Sequence, residues 1–91
     1  MSALEKKIQS LHEEMSIADK EIRFWLERAT RLEKTIDLAH EQGNDEQEEA
    51  HLVEYGQILG RMMREKDKLE DFRLRYNKVA GKLKLPLIGQ V

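Results

Sequence analysis

Three histidines and no cysteine limit the chemistry open to this chain of 91 residues. His40 and His51 stand near Glu41 and Glu48 in the sequence, and imidazole with carboxylate is a donor set for a divalent ion. The spacing is not HExxH, and no thiolate supplements it, so a metal site is not expected. His12 stands alone. Ser2, Ser10 and Ser16 lack the glycine-rich elbow that exposes a nucleophilic serine. No phosphate-cradling glycine loop occurs. Runs such as REKDKLED read as solvated helix surface. Neither catalysis nor a cofactor is expected.

The elements that carry these residues follow from composition and period. Charged residues make up 37% of the chain and aromatic residues 5%. Such a chain builds a long thin core rather than a thick globular one, and this composition is that of long helices or a coiled coil. The single proline is Pro86, so nothing interrupts a helix before it. No apolar run spans a bilayer, and MSALEKKIQS does not read as a signal peptide. A cytoplasmic location is expected, and the lack of cysteine fits a reducing compartment.

Met1, Leu4, Ile8, Leu11, Met15, Ala18, Ile22, Trp25, Ala29, Leu32, Ile36 and Ala39 recur at alternating steps of three and four. This is an a/d heptad stripe. It stops at GNDEQE. There Gly43 can take the left-handed conformation that ends a helix, and Asp45 with Glu48 forms a capping box for the next. A second stripe runs through Tyr55, Ile58, Met62, Glu65, Leu69, Phe72, Tyr76, Val79 and Leu83, until Pro86 ends it. The expected fold is all-α. It is a single long antiparallel two-helix coiled-coil hairpin over 1–91, with helix 1 about 2–42, a turn at 43–45, helix 2 about 46–83 and an extended tail 84–91. Each helix should be about 60 Å long at 1.5 Å per residue. Two hairpins pairing would make a four-helix bundle.

Folding about the turn sets Leu4 opposite Leu83, Leu11 opposite Tyr76, Ala18 opposite Leu69, Trp25 opposite Met62 and Leu32 opposite Tyr55. Ala29 meets Ile58. Small residues facing large ones suit interdigitation. Glu65 against Ile22 is the poorest layer. Across the seam, Glu14 with Arg75, Glu21 with Lys68 and Asp19 with Lys66 are attractive pairs, whereas Arg28 with Arg61 is repulsive. Trp25 is expected to fill the core.

Gly56 and Gly60 lie outside the seam, although glycine weakens a helix interior. With Leu26, Leu52, Leu59 and Met63 they outline a candidate partner-binding surface near the turn. Small residues allow close backbone approach, and methionine adapts to varied partners. Ile17 and Phe24, with Leu38, are also off the seam and offer a second contact. The tail LKLPLIGQV returns beside Met1 and Leu4, to cap the open end or to dock as a strand on a partner. Val91 suggests capture of a C-terminus by a PDZ domain, but Gly89 argues against it.

Charge is graded along the chain, within a net of −2. Residues 41–54 hold six acidic residues and no Lys or Arg, whereas 61–84 hold nine basic residues against four acidic. The basic residues alternate with acids, which reads as a solvated face, and nucleic-acid binding is not expected.

RATRLEKTID, from Arg28, and MMREKDKLEDF, from Met62, resemble segments of the first and second helices of the bivalent Mical/EHBP Rab-binding domain. The spacer between them is longer here, and the third helix of that family is missing. The stand-alone finger also resembles the helical hairpins by which Rho effectors hold their GTPases. Both resemblances imply a non-enzymatic adaptor or effector whose protein partner is a small GTPase. The alternative is a self-assembly or scaffolding element, a homodimeric four-helix bundle.

Overall fold

In a computed structural model, residues 2–89 form two long helices joined by one turn, α1 (Ala3–Glu41) and α2 (Asp45–Lys82). Met1, at the start of the first stripe, and Val91, with its PDZ reading, lie outside the described residues. The rod measures 61 × 20 × 14 Å, the length that a helix of nearly forty residues requires.

Both helices begin and end on side chains and backbone that replace missing helical hydrogen bonds. The Glu5 N–H donates to Ser2 Oγ at 3.1 Å, and the Gln47 N–H donates to Asn44 Oδ1 at 3.2 Å. Asn44, not Asp45, is therefore the cap of α2, and Asp45 is already helical. The cap is displaced by one residue, because Asn and Asp carry the same acceptor at the same reach, and the reciprocal half of the expected box does not form, since the Asn44 N–H donates to Ala39 O. Glu48 instead meets His40 across the turn, at 3.0 Å from Nδ1.

The two C-termini share one geometry. After α1, Asn44 N–H donates to Ala39 O and Gly43 N–H to His40 O, at 2.9 and 3.0 Å. After α2, Leu85 N–H donates to Ala80 O and Lys84 N–H to Gly81 O, at 2.9 and 3.3 Å. This is the Schellman pattern, with the left-handed residue just past the cap. Gly43 fills that position at φ +67, and Lys84 fills it at φ +57.

The seam is the expected one. Leu11, Ala18, Ala29 and Ala39 of α1 are buried, as are Ile58, Met62 and Val79 of α2. Ala29, Ile58 and Met62 pack together, with Trp25, Leu32 and Tyr55 around them. Three alanines in the buried set of α1 bring the backbones close, and the larger residues of α2 fill the space between layers. Ala80 is fully buried although it lies outside the seam; the chain doubles back here, where Leu85 bonds to its carbonyl.

Charged side chains pair mostly within their own helix. Asp19 binds Arg23, Lys68 binds Glu65 and Arg75 binds Asp71, rather than the cross-seam partners expected for them. Residues three or four apart on a helix are already neighbours, so such a pair needs no further ordering. Glu65 stays largely covered in its layer, where Lys68 Nζ donates to its carboxylate at 3.2 Å.

A candidate protein-interaction face

Leu52, Gly56, Leu59 and Met63 recur along α2 at steps of four, three and four, which places them on one stripe of its surface. Glu49 and Lys66 continue that stripe at either end. Leu26 of α1 lies on the same side of the seam, one helical turn before Ala29. The large members are exposed: Leu26 52%, Leu52 49%, Leu59 39% and Met63 66%. A Cβ built on Gly56 or Gly60 meets nothing within 4 Å. The hairpin's own packing therefore does not require either glycine.

Ile17 and Phe24 are also exposed, at 57% and 50%. They occupy the opposite flank, since Phe24 and Leu26, two residues apart on a helix, point about 200° apart. The eight residues singled out from the sequence thus form two faces. One holds Leu26, Leu52, Gly56, Leu59, Gly60 and Met63; the other holds Ile17 and Phe24.

On the second face, polar groups gather around Trp25. Phe24 sets its edge against Trp25, with centroids 5.0 Å apart and planes at 80°. Arg61 lies over the Trp25 ring at 4.8 Å and Arg28 at 5.7 Å. The expected Arg28–Arg61 repulsion is offset by this shared aromatic ring and by Glu54, 3.6 Å from Arg28. Trp25 is partly buried; it packs against the Ala29–Ile58–Met62 cluster while the two guanidinium groups lie over its ring.

The tail closes the open-end half of the first face. Asn77 Nδ2 donates to Ile88 O at 2.8 Å, and the Ile88 N–H donates to Asn77 Oδ1 at 2.8 Å. Arg73 Nη1 donates to the same carbonyl at 3.2 Å. Arg73 and Asn77 continue the stripe of Met63 and Lys66 by the same steps. Ile88 therefore lies back along the flank of α2, at a hollow that it lines with Met15, Leu69 and Arg73. Arg73 also binds Glu70, whose hydrogen bond from the guanidinium holds its carboxyl below the ordinary range. On the same flank Tyr55 donates to Glu33, and this bond holds the phenol above its ordinary pKa.

This arrangement was not visible in the sequence, because a contact between Asn77 and Ile88 follows no helical period. Asn77 near the end of a helix that Pro86 terminates is the nearest signal. Among the described residues no group of three or more His, Asp or Glu is placed to hold a metal ion, and no helix is long and apolar enough to cross a membrane. The fold defines an antiparallel two-helix hairpin. Comparison with protein-family profiles, with curated protein sequences and with solved structures gives no match to the chain.

Proposed function

We propose that the chain is a non-enzymatic protein-interaction module, an adaptor or effector hairpin in the cytoplasm that presents the Leu26–Leu52–Leu59–Met63 face to a protein partner. One observation carries this reading. A half-exposed apolar stripe surrounds two helical glycines whose side-chain space is empty. Each glycine costs helix stability without serving the hairpin's own seam. Close approach of another backbone is the physical use for such a position.

The resemblance of RATRLEKTID and MMREKDKLEDF makes a small GTPase the first partner to test. Purified Rab-type and Rho-type GTPases, loaded with a GTP analogue or with GDP, are titrated into the chain and into Leu59→Asp/Met63→Asp. Binding that prefers the GTP form and disappears in the double variant supports the reading. Binding that survives the double variant removes this face from it. Absence of binding by any GTPase tested removes the GTPase class.

A further inference from the structure

The stripe Glu49, Leu52, Gly56, Leu59, Met63, Lys66 has a property that a surface for an unrelated partner does not need. Its order reverses into its own complement. An antiparallel copy, related by a twofold axis midway between Gly56 and Leu59, places Leu59 over Gly56 and Leu52 over Met63. It also sets Glu49 against Lys66. Each contact occurs twice, as an isologous interface requires. From Glu49 to Lys66 the stripe spans about 25 Å of helix.

Resting on the reading of this stripe as a contact face, we infer that its occupant in the free chain is a second copy of this chain, packed antiparallel in this register into a four-helix bundle that a GTPase binding the same face has to displace. Three features support the choice. Size is complementary: the leucine side chain enters the space that is open above Gly56. Charge is complementary where the stripe carries it: Glu49 meets Lys66 at both ends of the interface. A parallel pairing fails on both counts, because it sets Leu59 on Leu59, Glu49 on Glu49 and Lys66 on Lys66. The interface is also bounded by the chain itself. Beyond Glu70 the stripe reaches Arg73 and Asn77, where the tail is seated. At that limit Asp45 comes opposite Glu70, whose carboxylate Arg73 already holds.

Sedimentation equilibrium of the full chain tests the inference. A dimer is expected, weakened by salt and abolished by Leu59→Asp with helicity retained. Glu49→Lys and Lys66→Glu each set like charges against each other twice, so each should weaken the dimer about tenfold. The double variant Glu49→Lys/Lys66→Glu should restore it, since only an antiparallel pairing brings these two residues together. Gly56→Ala should stabilise the hairpin and loosen the dimer. A chain that stays monomeric at every concentration overturns the inference, and leaves GTPase binding through Leu59 and Met63 to stand or fall on its own titration. A dimer insensitive to Leu59→Asp overturns it as well. A dimer lost in Leu59→Asp but not restored in the double charge swap overturns the antiparallel register.

Discussion

The Asn77 side chain holds the backbone of Ile88 by both of its polar groups, donating to the carbonyl and accepting from the N–H, each at 2.8 Å. The amide thus pairs as a neighbouring strand would, though it projects from a helix. Because the bonds are to backbone, the grip on the chain does not depend on the side chain at position 88. Replacing Asn77 by Ala removes both bonds, at about 1 kcal/mol each. The expected result is a freed tail on an intact hairpin. Hydrogen exchange of the Ile88 amide should accelerate, and trypsin should cut after Lys82 and Lys84 sooner, with far-ultraviolet dichroism unchanged. Equal cleavage of parent and variant would contradict the clamp.

Gly43 and Lys84 occupy equivalent positions in two Schellman turns, and only one of them is glycine. A side chain in the left-handed region costs roughly 1–2 kcal/mol. Lys84→Gly should therefore stabilise the end of α2, and Gly43→Ala should destabilise the hairpin by about 1 kcal/mol. Thermal unfolding of the two variants beside the parent reads both signs. Shifts in the same direction would show that the two turns are not equivalent.

Ala18 is 3% exposed and Ser16 is on the solvent side. An aspartate at 18 buries an unpaired carboxylate in the seam, at a cost of several kcal/mol, or titrates instead. An aspartate at 16 stays in water, and surface changes of that kind are usually within about 0.5 kcal/mol. The thermal midpoint of Ala18→Asp should fall far below that of Ser16→Asp. Equal midpoints would mean that the heptad register is wrong.

Tyr55 gives the seam a pH-dependent bond. Its hydroxyl donates to Glu33, and that bond raises the phenol's pKa above the ordinary value of 10.0. A group with a raised folded pKa contributes fully below its unfolded pKa, and the contribution is lost as pH rises through the folded one. The Tyr55–Glu33 bond should therefore be intact at neutral pH and lost only in strong alkali. In a Tyr76→Phe background Tyr55 is the single tyrosine left. Its ultraviolet titration should move down when Glu33 is replaced by Ala; an unmoved titration would discount the bond.

The two stripes, the turn at Gly43 and the facing layers were legible because one rule, steps of three and four, governs each helix from end to end. The cap slipped by one residue because Asn44 and Asp45 offer equivalent acceptors. Cross-seam ion pairs were over-read, since Arg23, Glu65 and Asp71 lay closer to the same charges along their own helices. The heptad positions already separate Phe24 from Leu26, so the two faces were readable. The seat of Ile88 was not readable. It depends on a reversal at Lys84, a residue with no intrinsic preference for the left-handed region.

A hairpin with a single turn also fixes the order in which its contacts become affordable. Leu32 and Tyr55, near the turn, are joined by a short loop, whereas the rings of His12 and Tyr76, 6.4 Å apart, are joined by most of the chain. Closing entropy rises with loop length, so the helices should zip from Gly43 outward, each formed layer shortening the loop for the next. Substitutions at Ala39 or Leu32 should then slow folding, while those at Leu11 or Val79 should mainly speed unfolding. The clasp on Ile88 depends on α2 being complete to Lys82, so it should form last and open first.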